Sequence, residues 1–563
     1  MANNGRLDAR DRASVLDRLA RTEFDVLVIG GGVTGAGAAL DAASRGLRVA
    51  LVEARDLASG TSSRSSKLIH GGLRYLEQFD FKLVWEALRE RDLLVSRLAP
   101  HLVKPVSFLY PLHRKVVERP YVGAGLVLYD ALEGTKRPVP HHRHLTVRGA
   151  LRLAPALKPS GLAGALLYYD AQADDARYTL TVARTAAAHG AVVATRASAR
   201  GLLRGPDGTR VTGARVHDEE SGRDIDVSAR RVVVCAGVWT DLVHELSGIQ
   251  AGYTVRMSKG VHIVVPYEAI RSDTGIILRT EKSVLFIIPW GKRWIVGTTD
   301  TDWTGDRAEP AATGEDIDYI LEHANRILAR PLTRSDVIGV YAGLRPLIAA
   351  DQTTPTTKLS REHVVDTPVP GLASIAGGKF TTYRVMARDV IDAAVADFGR
   401  PVPASVTDQL PLLGADGLAA AAAEAERLAE DYGLAREAVE HLLDRYGTLT
   451  EEVLELTRDD PALARPLSDG RPYLGAEVAY AVTHEGALHV EDVLVRRVRL
   501  FIETGACGVE AVAQVAAIMS GLLGWDSGQR AAETKRYLEL LRADTRALSE
   551  LTGGPGVERE TAG

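Results

Sequence analysis

The chain has 563 residues, too many for one ordinary hydrophobic core, so two or three domains are expected. Its net charge of −5 gives no overall electrostatic reason to bind nucleic acid, and its two cysteines, Cys235 and Cys507, lack metal-ligand or C-x-x-C spacing, which argues against a disulfide framework. The arm before Phe24 lacks the apolar core of a secretory signal, and no window of about 20 residues is apolar enough to span a bilayer. We therefore expect a cytoplasmic protein.

Residues 24–56 have the pattern of a strand, a helix and a second strand. Gly30, Gly32 and Gly35 form a G-x-G-x-x-G motif where the first strand turns into the helix. The first glycine permits the tight turn, the second lets backbone approach a pyrophosphate, and the third allows close helix–strand packing. Glu53 ends the second strand, where an acidic residue contacts an adenosine ribose. The stretch predicts a dinucleotide site but leaves FAD and NAD open.

Residues 56–81 are dense in serine, glycine and basic residues. Such a stretch can be a plain solvent loop. It also lies just after the predicted ribose contact, at the carboxyl edge of the sheet, where α/β folds bind ligands. Leu83–Leu98 then alternates apolar and charged residues at helical spacing, and Pro100 and Pro105 are expected to close this helix.

Residues 106–145 interleave aromatic and aliphatic residues with basic ones such as Arg114, Lys115 and Arg119. Two interpretations stay open: a segment that crosses between domains with a solvated basic face, or a patch that lies on a membrane surface. Three histidines between positions 141 and 144 have no carboxylate or cysteine at ligand spacing, so no metal site is predicted.

The middle of the chain alternates strand and helix patterns before changing character. Residues 165–193 have a strand, an acidic turn, a helix and a strand, which predicts a second βαβ crossover. Residues 231–237 form a buried type of parallel strand that ends in Ala236 and Gly237, small residues that let backbone approach a cofactor or simply make a tight turn. Residues 253–301 then predict an antiparallel sheet that forms the floor or cap of a pocket.

Two later motifs carry basic side chains. Arg345 lies between Gly343 and Pro346, and Lys379 lies in a loop that opens a helix. The lysine loop does not match a phosphate-binding P-loop, and its helix N-terminus can instead face an electron-rich ring. Residues 315–328 predict a helix, and amphipathic helices beyond Pro403 predict a separate helical domain.

Seven stretches together resemble the FAD-dependent glycerol-3-phosphate dehydrogenases of the bacterial aerobic type: IGGGVTGAGAALDAASRG, SSKLIHGGLRYLE, DAQADDAR, SKGVHIVV, GTTDTD, AGLRPL and AGGKFTTYR. The resemblance covers residues 20–540. It implies an α/β fold in which a doubly wound, Rossmann-like FAD domain is interleaved with a mostly antiparallel β substrate domain, followed by a C-terminal all-α domain.

The resulting domain prediction has six segments. The FAD domain is expected over 23–105, 165–250 and 335–400; a substrate or membrane-facing segment over 106–164; the antiparallel substrate domain over 251–334; and the helical domain over 401–552.

The resemblance implies oxidation of sn-glycerol 3-phosphate to dihydroxyacetone phosphate by hydride transfer to flavin N5, with electrons passed to a membrane quinone. A quinone lies in the bilayer, so peripheral attachment to the inner face of the cell membrane is expected. Dimerisation through the C-terminal helices is a further hypothesis.

This reaction requires an anchor for a phosphate dianion and a polar environment for the C2 alcohol. Arg74 is the predicted anchor, since a guanidinium binds phosphate through two hydrogen bonds, and Tyr75 adds a hydroxyl. His70 is the predicted base for the C2 hydroxyl proton, because imidazole titrates near neutral pH. The alternative for His70 is that it only packs against or hydrogen-bonds the flavin.

Arg345 is predicted to hold the substrate oxygen, and Lys379 to stabilise negative charge near flavin N1 and the C2 carbonyl. A structural ion pair is the alternative for either. Thr381 is a predicted substrate contact. The predicted FAD contacts come from all the motifs above: Gly30, Gly32, Gly35, Glu53, Thr61, Ser62, Ser66, Lys67, Leu68, Ala236, Gly237, Gly343, Gly378 and Lys379.

Three alternative functions stay open at this stage. A glycerol-3-phosphate oxidase of the same fold would pass the electrons to O2. An amino-acid or amine oxidase would act on substrates without phosphate. A non-catalytic flavin-binding module would use the helical domain to bind a partner.

Overall fold

The computed structural model describes residues 4–72, 75, 80–113, 118–132, 138–249, 252–281, 284–349, 362–504 and 508–552, with side chains to residue 542. Arg74, Arg114, Lys115 and Cys507 therefore lie outside the described residues.

The strands form two sheets that share no strand. In chain order they are β1 (Phe24–Ile29), β2 (Val49–Val52), β3 (Leu68–Ile69), β4 (Val103–Leu112), β5 (Arg143–Leu145), β6 (Gly164–Ala173), β7 (Val192–Ala194), β8 (Ala197–Arg204), β9 (Val211–Asp218), β10 (Asp224–Val234), β11 (Thr254–Pro266), β12 (Gly275–Arg279), β13 (Val284–Trp290), β14 (Arg293–Gly297), β15 (Thr301–Trp303), β16 (Gly339–Ala349), β17 (His363–Asp366) and β18 (Leu372–Gly377).

The helices alternate with strands in the first two thirds of the chain and follow one another in the last third. They are α1 (Arg12–Arg21), α2 (Val33–Ser44), α3 (Phe81–Leu93), α4 (Glu118–Leu132), α5 (Val147–Leu153), α6 (Asp175–Ala188), α7 (Thr240–Leu246), α8 (Gly314–Asn325), α9 (Tyr383–Val395), α10 (Leu418–Ala423), α11 (Ala425–Tyr432), α12 (Arg436–Tyr446), α13 (Thr450–Asp459), α14 (Gly475–Glu485), α15 (Leu500–Glu503), α16 (Val509–Leu523) and α17 (Ser527–Thr552).

The first sheet has the order β17-β18-β10-β1-β2-β7, with an antiparallel β8–β9 ribbon that continues from β10. Five of its strands are parallel: β18, β10, β1, β2 and β7. They are continuous apolar runs because both faces are covered: α2, α6 and α9 pack on one face, and α1 and the β8–β9 ribbon on the other. This sheet carries the glycine motif at the end of β1.

The second sheet has the order β15-β11-β14-β13-β12-β4-β6-β3, with β16 paired to β11 and β5 to β6. It includes β6, which pairs antiparallel with β4 over ten residues. The predicted βαβ crossover over 165–193 is therefore wrong, because its two strands, β6 and β7, belong to different sheets. Likewise β16 pairs with β11, so the start of the predicted 335–400 segment belongs to the second sheet and not to the sheet that carries the glycine motif. The predicted fold class is confirmed.

The predicted helix over 83–98 is shorter than expected. Helix α3 ends at Leu93, and a π-helical turn continues to Leu98. Pro105 lies within β4 and does not close the helix. Helix α8 ends at Asn325, three residues before the predicted Leu328.

The C-terminal helices join the rest of the molecule through buried ion pairs. A π-helical turn, Asp492–Arg497, places Arg496 and Arg497 on the carboxylate of Asp56, at 2.5 Å each. All three side chains are buried. Asp56 belongs to the loop that follows the predicted ribose contact, so the helical domain contacts the cofactor-binding region directly.

His489 forms a second link between these regions. Its ring nitrogens lie 2.9 Å from Glu220, in the loop after β9, and 2.9 Å from Glu533 on α17. Burial alone would lower the pKa of His489, but the hydrogen bonds to the two glutamates raise it to about 9, aided by Asp492. The imidazole is therefore positively charged near neutral pH.

We expect this charge to make stability depend on pH. Because the folded pKa lies above the ordinary value of 6.5, the stabilisation is complete below pH 6.5 and is lost as the pH rises through 9. The shift corresponds to about 3 kcal/mol at most. The free energy of unfolding of wild type and of His489→Gln, measured at pH 6 and pH 9.5, should differ much more at pH 6. An equal difference at both pH values would contradict the assignment.

Candidate active site

A cavity of about 520 Å³ lies between the two sheets. One end is lined by the glycine motif and Glu53, and the other by His70, Arg345 and Lys379. The carboxyl ends of the parallel strands β1, β2 and β10 open into it, as expected for ligand sites in α/β sheets. The cavity therefore joins the predicted nucleotide end to the predicted chemical end.

The glycine motif leaves no room for side chains on the turn between β1 and α2. A Cβ on Gly35 would lie 1.8 Å from the carbonyl oxygen of Gly30, and a Cβ on Gly30 would lie 2.5 Å from that of Cys235. Gly30 also has a φ of +114°, which side chains rarely tolerate. These contacts bring the N-terminus of α2 close to β1 and β10, and Gly32, Val33 and Thr34 at this terminus line the cavity, where a helix N-terminus can bind phosphate.

Glu53 braces the same turn. Its carboxylate accepts hydrogen bonds from the amides of Gly31 at 2.6 Å and Arg55 at 2.9 Å. Burial raises the pKa of Glu53, although both amides favour the ionised form. The side chain also lines the cavity, so it can accept hydrogen bonds from a ribose. Gly32 lines the cavity as well, and the Ser62 hydroxyl accepts from the Val33 amide at 2.9 Å.

The loop between β2 and β3 forms one long wall of the cavity. Thr61, Ser62, Ser66 and Leu68 all line it, as predicted for FAD contacts. Thr61 donates to the carbonyl oxygen of Leu344 at 2.6 Å, which ties the loop to β16.

Lys67 is the exception in this loop. Its ammonium group is buried and lies 2.8 Å from Asp175, at the start of α6, and 3.2 Å from the carbonyl oxygen of Ser63. Burial and the nearby Arg499 lower its pKa to about 8. The side chain does not line the cavity and forms an internal ion pair with Asp175, so a cofactor contact of Lys67 stays a prediction.

The other predicted small residues surround the cavity in different ways. Ala236 and Gly237 follow β10 and line it, and a Cβ on Gly237 would meet open space. A Cβ on Gly343 would lie 2.4 Å from the carbonyl oxygen of Arg64, and Gly378 has a φ of +80°, so the backbone favours glycine at both positions. Both also line the cavity.

The predicted catalytic and substrate residues within the described chain line the same end of the cavity. They are His70, Tyr75, Arg345, Lys379 and Thr381. The Lys379 Nζ lies 3.9 Å from the centre of the Tyr75 ring, and the Thr381 hydroxyl accepts from the His70 amide at 3.1 Å. Arg74, the predicted phosphate anchor, lies outside the described residues.

Arg345 is held by the turn after β14. Its guanidinium donates to the Thr298 hydroxyl at 3.0 Å and to the Thr299 carbonyl oxygen at 3.3 Å. Gly260, on the paired strand β11, leaves space for it: a Cβ there would lie 2.4 Å from an arginine nitrogen. These two hydrogen bonds place the guanidinium at the wall of the cavity, where it can donate hydrogen bonds to a substrate oxygen.

Sequence reasoning gave no role to two further residues that line the cavity, His262 and Trp239. The His262 Nε2 lies 2.8 Å from the Ser66 hydroxyl, and its ring stacks on Tyr341. Burial and the nearby Arg345 hold its pKa well below the usual value, so it is neutral. Trp239 packs against Gly60, where a Cβ would lie 2.8 Å from the ring. For His262, the available sequence signal was a histidine inside the apolar run of β11.

These observations fit a bound FAD. The cavity is long, its nucleotide end has the glycine cradle and a ribose acceptor, and its other end has cationic and hydroxyl groups beside open space. FAD would be held by the amides of α2, by Glu53 and by the β2–β3 loop.

Comparisons with known proteins support the same conclusion. A family model for FAD dependent oxidoreductases matches residues 25–393, and a model for the C-terminal domain of alpha-glycerophosphate oxidase matches residues 405–530. The second match covers most of the C-terminal helices.

Individual relatives match over nearly the whole chain. Glycerol-3-phosphate dehydrogenase 2 of Mycobacterium tuberculosis is 54% identical over 538 residues, which cover 96% of this chain and 91% of that protein. The human mitochondrial glycerol-3-phosphate dehydrogenase is 38% identical, with 93% of this chain and 74% of that protein covered.

Among solved structures, the glycerol-3-phosphate dehydrogenase from Bacillus halodurans complexed with FAD has a TM-score of 0.79 and 29% identity, covering 95% of this chain and 98% of that chain. The L-alpha-glycerophosphate oxidase from Mycoplasma pneumoniae has a TM-score of 0.55 at 16% identity, covering 69% of this chain and 99% of that chain, and shows the shared fold alone.

Proposed function

Because the chain belongs to the FAD-dependent glycerol-3-phosphate dehydrogenases, we propose that it oxidises sn-glycerol 3-phosphate to dihydroxyacetone phosphate and passes the electrons to a membrane quinone. One observation carries the proposal: His70, Arg345 and Lys379 line the same cavity as the glycine cradle and Glu53. A substrate beside these three side chains would lie at the chemical end of the bound cofactor.

FAD, when bound in this cavity, would supply the acceptor for a hydride from C2 of the substrate. His70 takes the proton of the C2 hydroxyl. Arg345 donates hydrogen bonds to the C2 oxygen, where negative charge develops as the proton leaves. Lys379 adds a second positive charge at the cavity wall, and Arg74 with Tyr75 binds the phosphate dianion.

The experiment that tests this reaction is anaerobic visible spectroscopy of the purified holoenzyme, with sn-glycerol 3-phosphate and glycerol added separately. We expect the flavin band to bleach with the phosphate ester and not with glycerol. A flavin that dithionite reduces but that neither compound bleaches would overturn the function and leave the fold intact. Bleaching by glycerol as well would argue against a phosphate anchor.

The electron acceptor is tested separately. A glycerol-3-phosphate oxidase would reoxidise its flavin with O2 and release hydrogen peroxide. We expect slow peroxide formation in aerated buffer and fast reoxidation by a short-chain quinone. Rapid peroxide formation would favour the oxidase.

The proposed membrane contact is supported by the outer faces of α3 and α4. None of the described helices combines the length and the apolarity needed to cross a bilayer. Helices α3 and α4 contact each other and expose five large apolar side chains, which we call the α3–α4 patch: Phe81, Trp85, Tyr121, Val127 and Leu128. An exposed apolar patch of this kind suits insertion at a lipid interface.

The sequence predicted a membrane-facing segment over residues 106–145. The α3–α4 patch includes only helix α4 from that segment, and it also includes α3, which lies before it. Arg119, which we expected on the basic face, is half-buried and donates to the carbonyl oxygen of Leu145 at 2.9 Å. Its replacement would disturb packing, so it is a poor probe of membrane contact.

Val127→Glu should release the enzyme from membranes. Val127 is 57% exposed and belongs to the α3–α4 patch. Loss of its insertion costs about 1.5 kcal/mol, which lowers the membrane partition coefficient about tenfold. Sedimentation with anionic phospholipid vesicles measures it. Val406→Glu, at an exposed valine outside the patch, is the control and should partition like wild type. Equal partitioning of the two variants would rule out the patch.

A further inference from the structure

The loop that carries His70 is held by a buried chain of hydrogen bonds whose side chains lie outside the cavity lining. The amide of Gly71 donates to the Tyr129 hydroxyl at 2.9 Å, and that hydroxyl donates to Asp170 at 2.7 Å. Arg91 donates to the same carboxylate oxygen at 3.0 Å. Tyr129, Asp170 and Arg91 are at most 3% exposed. None of them lines the cavity.

We propose that Tyr129 and Asp170 are positioning residues that hold the His70–Gly71 peptide, and with it the imidazole of His70, in the orientation needed for proton transfer. This inference rests on the proposed function, in which His70 takes the C2 hydroxyl proton. The chain of contacts begins at the amide that directly follows His70, so its effect on the ring passes through a single residue.

The fit around Gly71 supports this role. A Cβ on Gly71 would lie 2.6 Å from the Tyr129 hydroxyl and 2.6 Å from a methyl carbon of Leu88. The loop is therefore in close contact with both α3 and α4. On the other side of His70, its amide donates to the Thr381 hydroxyl at 3.1 Å. The two peptide groups that flank the His70 Cα are thus fixed by different elements.

The charges explain why the hydroxyl keeps one orientation. Asp170 is buried on β6 and accepts from Tyr129 and Arg91, so the tyrosine proton points to the carboxylate and its oxygen lone pairs face Gly71. Burial and Asp170 raise the pKa of Tyr129 well above its usual value, so the hydroxyl stays protonated. It therefore orients the loop and does not exchange protons with a substrate.

Tyr129→Phe tests the proposal, because it keeps the ring and removes only the hydroxyl. The measurement is the rate of flavin reduction per bound FAD by saturating sn-glycerol 3-phosphate in anaerobic stopped flow. We expect a fall of about tenfold, since small displacements of a reacting group are costly. The concentration of substrate that gives half the maximal rate should stay within twofold of wild type.

Tyr473→Phe is the matched control. Tyr473 is also a buried tyrosine that donates to a carboxylate, that of the half-buried Glu503, at 2.9 Å, but it lies in the helical domain. It should lower the thermal unfolding temperature as much as Tyr129→Phe does and leave the rate per bound FAD unchanged. Equal rates for the two variants would reduce Tyr129 to a structural residue and overturn the proposal.

Asp170→Asn is the second test of the proposal, for the case that Tyr129→Phe does not yield folded holoenzyme. It removes the carboxylate charge and keeps an oxygen that can accept the tyrosine hydrogen bond. A loss of threefold or more per bound FAD supports the proposal, and the wild-type rate overturns it. The pH profile of the rate should keep its shape in both variants while its height falls. A wild-type flavin that the substrate does not reduce would instead refute the proposed function.

Discussion

Arg345→Met is expected to lower kcat/KM for sn-glycerol 3-phosphate by about 10² to 10³, the usual effect of removing one donor from a developing oxyanion. Arg345 lines the chemical end of the cavity and donates hydrogen bonds to the Thr298 hydroxyl and the Thr299 carbonyl oxygen. Methionine fills much of the same space without donors or charge. Most of the loss should appear in kcat, because the hydrogen bond strengthens as the C2 oxygen gains negative charge.

The control for Arg345→Met is Arg334→Met, which removes an arginine from an exposed pair with Asp318. Steady-state kinetics with a quinone analogue and the FAD content per chain are measured for both. Arg334→Met should behave like wild type. If Arg345→Met raised KM alone, with kcat unchanged, the arginine would bind the substrate without assisting its oxidation, and the assigned role would be wrong.

Asp56→Ala is expected to cause the largest loss of stability. Asp56 is 1% exposed and accepts hydrogen bonds from Arg496 and Arg497. Its removal leaves buried positive charge without its main partner, and breaking such a pair costs about 3 to 5 kcal/mol. FAD should also dissociate more readily, because Asp56 follows the segment from Glu53 to Arg55 that lines the cavity.

The thermal midpoint and the rate of FAD release into buffer measure both effects. Asp226→Ala, which breaks the exposed pair with Arg215, is the matched control and should cost about 0 to 1 kcal/mol. If Asp56→Ala unfolded at the same temperature as the control, the neighbouring acids, Glu491 and Asp492, would be enough to neutralise the two arginines without Asp56.

The parts of the fold that sequence predicted are those set by local geometry. The glycine motif specifies a turn by backbone contacts alone, and Gly35 lies against Gly30 as that pattern requires. The antiparallel strands after position 253 were also predicted correctly, because alternation and turn residues are local signals.

The errors concern partners that are distant in the chain. An apolar run such as β6 has the same pattern in either sheet, so its pairing with β4 could not be read from it. Nor did the polar loop around Lys67 predict the ion pair of its side chain with Asp175, which is 108 residues away. His262 and Tyr129 form hydrogen bonds to residues on other elements, and the residues next to them in the sequence do not predict those contacts.

The ion pairs of Asp56 also affect the order in which the protein can mature. Asp56 leaves the ribosome 440 and 441 residues before Arg496 and Arg497. At about 5 to 20 residues per second, translation delays their meeting by roughly 20 to 90 s. During that interval the loop beside the cofactor site lacks the two cations that hold it. Stable capture of FAD is therefore expected after chain release, so a stalled or truncated chain should emerge colourless.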